Sequence, residues 1–190
     1  MGYSTWFGGS LKFNKEVSDE LRDYINRFSS TRRMPRDNEK IMEIYPNWEE
    51  LCFFGDLGVN GEYFAPESKS YGQEYDDSII DYNGYKRSVQ PGLWCQWIIE
   101  GNELVWDEGE KFYNYIEWLK YLIENFFEPL GYKLNGTITW DGEDSDDFGV
   151  INVTDNVVDI QYGMRLYGLS DISTDELIKE IENRGYKVAN

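Results

Sequence analysis

The chain has 190 residues, no histidine and only two cysteines, and its 18 Lys and Arg stand against 36 Asp and Glu. Without histidine there is no Ser-His-Asp or Cys-His nucleophile activation, no imidazole acid-base chemistry, and no His-rich or HExxH metal site. Cys52 and Cys95 lie far apart with no CxxC partner, which gives neither a zinc knuckle nor a disulfide framework and fits buried thiols in a reducing compartment. The deficit of cations leaves a formal charge of −18. Approach to bulk DNA, RNA or an anionic membrane then meets repulsion where a basic protein would release counterions. No run reaches 18 apolar residues, and the opening GYSTWFGGS lacks a basic-then-apolar leader pattern, so a soluble, unexported chain is expected. Neither GxGxxG nor GxxxxGK(S/T) occurs, which argues against nucleotide-driven chemistry.

Large rings are plentiful: 7 Trp, 15 Tyr and 10 Phe give an aromatic fraction of 17%, within an apolar fraction of 41%. That content excludes a disordered acidic tail and supports one ordinary domain. Ser4 to Phe13 reads as a strand in which Gly8 and Gly9 mark a bulge or a close backbone approach. An amphipathic helix follows, capped by Ser18, with Leu21, Tyr24, Ile25 and Phe28 on one face. TRRMPRDNEK reads as a loop holding Arg32, Arg33, Arg36 and Lys40 around Pro35. From Tyr45 to Val89 periodicity is missing, and short strands or turns pinned by isolated rings are expected.

Leu93 to Glu100 and Glu103 to Trp106 form a hairpin across Gly101-Asn102. The run EKFYNYIEWLKYLIENFFEP carries Phe112, Tyr115, Ile116, Leu119, Leu122, Ile123 and Phe126 at helical spacing and predicts one long helix ending at Pro129. Lys133 to Trp140, Val150 to Thr154 and Val157 to Tyr162 predict a meander, with Asp155-Asn156 as one turn. Ser173 and Glu176 form a capping box ahead of a last helix, with Gly185 as its stop and a short strand from Tyr186. Hairpins outnumber crossovers, so the expected fold is α+β, an antiparallel or mixed sheet with two or three helices packed on one face. Residues 1–163 are read as a single domain, and 164–190 as a helix and strand packed on it.

The charge is uneven. Residues 96–163 hold 15 carboxylates and three cations, so about a third of the chain carries two thirds of the excess. Glu110, Glu117, Glu124 and Glu128, spaced 7, 7 and 4, are expected as a stripe on the long helix, which Asp107 and Glu108 extend. Asp141, Glu143, Asp144, Asp146 and Asp147 crowd one strand connection. Together these eleven form the expected acidic face, presenting carboxylates where a duplex presents phosphates. A solvated, merely solubilising surface is the competing explanation. A calcium loop starting at Asp144, with Asp146, Gly149 and Asp155 at the third, sixth and twelfth positions, is disfavoured because Phe148 occupies a ligand position. Arg32, Arg33 and Arg36 could grip a phosphate or nucleotide, or pair with Asp37 and Glu39. Glycoside hydrolysis would need two specific acids across a cleft, and none are singled out.

The strings QPGLWCQW (Gln90 to Trp97), EKFYNYIEWLKYLIENF (Glu110 to Phe126), GYKLNGTITWDGED (Gly131 to Asp144) and GVINVTDNVV (Gly149 to Val158) resemble an uncharacterised set of small acidic bacteriophage and prophage proteins. TWFGGSLKF and TRRMPRD are also similar, while the tail from Met164 is not. The resemblance brings no catalytic residues. It implies a phage setting, in the cytoplasm of an infected or lysogenic bacterial host, where small acidic proteins often inhibit restriction or CRISPR nucleases. The expectation is a non-enzymatic inhibitor of a host defence or nucleic-acid-binding protein, acting by DNA mimicry on a basic host surface. It would have no cofactor, no direct nucleic-acid contact and no membrane partner. The alternatives are a module that sequesters a nucleotide signal and a metal- or carboxylate-dependent hydrolase.

Overall fold

Period-two alternation in six segments produces the sheet that organises the computed structural model, which describes residues 2–67, 74, 76–163 and 173–183. The strands are β1 (Thr5–Phe13), β2 (Trp97–Glu100), β3 (Glu103–Trp106), β4 (Leu134–Gly142), β5 (Phe148–Thr154) and β6 (Val157–Tyr162). All neighbours are antiparallel, in the order β2-β3-β1-β4-β5-β6, so the fold is α+β and the sheet is not mixed. The N-terminal strand sits at the centre. Its register against β4, Thr5 opposite Gly142 to Phe13 opposite Leu134, is unbroken because Gly9 has no side chain. Gly9 adopts φ 93°, and a Cβ there would collide with the Thr137 carbonyl, which is the close approach that the paired glycines imply.

One face of this sheet is apolar. Leu11, Phe13, Leu134, Ile138, Trp140, Ile151 and Val153 point into a core closed by α1 (Asp19–Ser29) and α3 (Tyr115–Leu122). The α1 contribution is the expected face of Leu21, Tyr24, Ile25 and Phe28, with the Ser18 side chain accepting from Leu21 N–H at 3.3 Å as the cap. The two-residue turns also form as read. Gly101 has φ 56°, and Asp155 and Asn156 have φ 49° and 74°, the left-handed values that hairpin turns require.

Three elements differ from the sequence expectation. The long helix begins at Tyr115, because Glu108, Lys111 and Asn114 hold left-handed φ values of 62°, 62° and 55° and keep residues 107–114 a loop. Phe112 still reaches the core, packing on Phe7 and Trp97 from that loop, so its helical phase was misleading. After Leu122 the helix widens into a π segment, Ile123–Phe127, with Glu128 N–H donating to Ile123 O. The wider turn lets the adjacent pair Phe126 and Phe127 both be buried. The second difference is α2 (Asn38–Ile44), which replaces part of the expected loop. It is capped by Asp37, whose carboxylate accepts from Glu39 and Lys40 N–H, and buries only Ile41, too little to register as periodicity.

The strand expected from Leu93 starts only at Trp97; residues 93–96 are irregular. Across 45–67 the rings pin turns as expected. Trp48–Leu51 is a 3-10 turn, and Cys52, Leu57, Phe64 and Ile41 make a small second core beside Tyr45 and Trp48. The rings Tyr71 and Tyr75 lie outside the described residues. Helix α4 (Thr174–Asn183) forms with Ser173 at its N-cap position, where Leu177 N–H donates to Ser173 O at 3.1 Å. The Glu176 side chain of the capping box, Gly185 and the strand from Tyr186 lie outside the description.

Candidate functional site

The eleven carboxylates do not form one stripe, because the helix meant to carry four of them is shorter and partly π-wound. Glu110 lies off α3, in the β3–α3 loop with Asp107 and Glu108; Glu117 is exposed in the first turn of α3. Glu124 and Glu128 lie at the far end of the helix. With Lys120, Asp155 and Asn156 they line a shallow depression of about 360 Å³ beside the β5–β6 turn. Asp141, Glu143, Asp144, Asp146 and Asp147 lie at the opposite end of the sheet, where β4 finishes and β5 begins.

At that end Tyr3 ties two acidic segments together. Its N–H donates to Tyr113 Oη at 3.0 Å, its hydroxyl donates to Asp147 Oδ2 at 2.7 Å, and the same oxygen accepts from Asp144 N–H at 3.1 Å. Partial desolvation, together with the hydrogen bond and negative charge of Asp147, holds the Tyr3 hydroxyl above its ordinary pKa. Trp140 Nε1 donates to the other Asp147 oxygen at 3.0 Å, so this half-buried carboxylate is a structural acceptor. Glu143 accepts from Ser4 N–H at 2.8 Å. Asp147 N–H donates to Asp144 O and Gly142 N–H donates to Asp147 O, which closes the connection as a tight turn. The β3–α3 loop is pinned in its own way, with Asp107 Oδ1 accepting from Gly109 N–H at 2.8 Å.

Two fixed loops thus bring Glu108, Glu110, Glu143 and Asp144 to one end of the sheet, with Asp141 on its outer face. The ion pairs among the described residues are Lys12–Glu103, Arg22–Asp19, Arg36–Asp76, Lys40–Glu43 and Lys133–Asp155. None takes a carboxylate from Glu108, Glu110, Glu117, Asp141, Glu143 or Asp144. A calcium loop from Asp144 to Asp155 does not form, since residues 148–154 are strand β5 and carry Asp155 to the other end of the sheet. Among the described residues no group of three or more Cys, Asp or Glu is arranged to hold a metal ion.

The arginine trio separates. Arg33 is buried, 3% exposed, with its guanidinium over the Phe28 ring at 4.4 Å and donating to Glu62 O at 2.8 Å and to Phe64 O. Burial lowers its pKa to about 10. Arg36, also 3% exposed, donates to Asp76 Oδ2 at 2.9 Å and Ser78 Oγ at 2.8 Å, with its guanidinium 5.2 Å from the Phe64 ring. The expected partners Asp37 and Glu39 are therefore wrong, Asp37 being the α2 cap. Both arginines act as internal staples, and neither is open to a phosphate. Arg32 alone stays half-buried at a cleft wall, donating to Tyr82 O at 3.0 Å. Tyr3 escaped the sequence reading, since a single tyrosine in a strand-leading segment carries no periodic or motif signal.

No family model, curated protein or solved structure matches the chain. Among the described residues no helix is long and apolar enough to cross a membrane.

Proposed function

We propose that this is a non-enzymatic phage protein that docks on the basic surface of a host defence or nucleic-acid-binding protein, its carboxylates taking places that phosphates would occupy. The reading is carried by one observation: Tyr3 joins the β3–α3 and β4–β5 loops, so that Glu108, Glu110, Glu143 and Asp144 share one end of the sheet, and none of the four is in an ion pair among the described residues. Uncompensated charges on backbone-fixed loops lose little side-chain and loop freedom on docking, and complementary charge speeds encounter and selects the partner. The docking surface is smaller than the sequence suggests. Glu124 and Glu128 stand at the other end, and Asp147 is engaged internally.

The test is competition: the protein is titrated into complexes of duplex DNA with purified host nucleases and defence proteins at 50 and 300 mM salt. Displacement of DNA at the lower salt, weakened at least about tenfold at the higher, is expected. Absence of displacement from every candidate, or displacement insensitive to salt, contradicts the reading.

A further inference from the structure

Behind the loop that carries Glu110, a cleft of about 450 Å³ opens beside residues 92–96 and the start of α3. That volume lies in the range of small-molecule sites. Its lining departs from the acidic character of the molecule, since Arg32 and Lys111 stand there beside the rings of Tyr85, Trp94 and Tyr113. A further cation is close, with the Arg87 guanidinium 5.9 Å from the Tyr85 ring centroid. Arg32 is held by its bonds to Tyr82 O at 3.0 Å and Asn83 Oδ1 at 3.4 Å, which leave its Nη1 group without a partner among the described residues. Lys111 makes no ion pair there either, and its backbone is held at φ 62°. Such strain persists only where surrounding structure enforces it.

Trp118 packs behind Gly92 of this cleft and is fully buried, yet its indole N–H has no hydrogen-bond partner among the described residues. A Cβ on Gly92, which lines the cleft, would stand 3.3 Å from that nitrogen, so the donor lies directly behind the glycine wall of the cleft. Buried polar groups are rarely left unpaired, and this one stands next to a cavity. Glu110 adds an acceptor on the wall. Rings for stacking, two cations for an anion, an orphan donor and a carboxylate acceptor together fit a base bearing an exocyclic amine and joined to a phosphate.

We propose that the cleft binds a nucleoside monophosphate, the base stacked among Tyr85, Trp94 and Tyr113 with the phosphate on Arg32 and Lys111. The cleft shares Glu110 and the β3–α3 loop with the acidic docking end, but small nucleotides test it without any protein partner, so its failure and the failure of the docking reading are distinguishable. Screening confines the molecule's overall negative charge to a range of about 8 Å at physiological salt, so adjacent cations dominate inside the cleft. Calorimetry on the full chain with 5′-AMP, 5′-GMP, adenosine and inorganic phosphate tests it. A nucleoside monophosphate should bind at least about tenfold more tightly than adenosine or phosphate alone. Arg32→Gln and Lys111→Gln should each weaken it, and Gly92→Ala should weaken it too, by thickening the wall between the cleft and the indole N–H. Both cation variants alter exposed or half-buried side chains, so an unchanged thermal midpoint keeps the comparison valid if Gly92→Ala fails to fold. No saturable heat at millimolar nucleotide, equal binding of phosphate alone, or full binding in both cation variants would overturn the proposal.

Discussion

Arg36 and Asp76 meet at 2.9 Å with side chains 3% and 7% exposed, so removing one leaves the other charged and dry. Loss of one partner of such a pair typically costs about 3–5 kcal/mol, whereas replacing both by apolar groups can be neutral. Arg36→Met alone should therefore lower stability by that order in urea unfolding. The Asp76 carboxyl also reports on pH. Burial raises its pKa, but hydrogen bonds from Tyr45 and Ser78 and the charge of Arg36 outweigh burial and hold it below the ordinary 3.8. A depressed carboxyl contributes stability that is complete above its unfolded pKa and lost as pH falls through the folded value. Asp76→Asn should consequently flatten the acid limb of the stability curve below about pH 4, and an unchanged acid limb would remove Asp76 from the account. Cys52 and Cys95 are free and buried, and burial pushes both thiols up to about 12. Neither should react with a thiol reagent at pH 8 until denaturant is added. The buried free thiols were expected from the sequence, but the arginine environments were not legible beforehand, since the partners of Arg33 are backbone carbonyls and Asp76 lies 40 positions from Arg36.

The elements readable in advance were those whose burial is periodic and local. Helix α1, the Gly101-Asn102 hairpin and the β5–β6 turn follow from caps, turn residues and alternation with neighbours close in sequence. The β3–α3 loop was not, because Phe112 satisfies helical spacing while being delivered to the core by left-handed residues on either side. This contrast is measurable. Phe112→Ala removes a buried ring and should cost about 3–5 kcal/mol. Lys111→Gly should relieve the positive-φ cost and raise the thermal midpoint, the reverse of what glycine does inside a helix. A fall in midpoint on Lys111→Gly would favour the continuous helix. In β1, Gly9→Ala must displace the Thr137 carbonyl or the backbone and should destabilise by more than about 1 kcal/mol.

At the scale of the molecule, the sequence shows how much charge there is, and the fold decides where it stands. The 141–147 cluster was legible as one connection, and the structure keeps it together at the end of β4. The stripe through Glu110 to Glu128 was not, because a loop and a π segment break the phase that makes residues seven apart neighbours. The Tyr3 bridge and the Arg32–Lys111 cleft depend on contacts across the sheet and between distant loops, which no local pattern encodes. Position matters more than total charge, since a charge of −18 would attract any basic surface to some degree. The decisive measurement is the DNA-competition midpoint for two double variants of equal net charge, Glu143→Lys with Asp144→Lys, and Glu49→Lys with Glu50→Lys. A loss of about tenfold or more is expected for the first pair and little change for the second; equal losses would contradict docking through this end of the sheet.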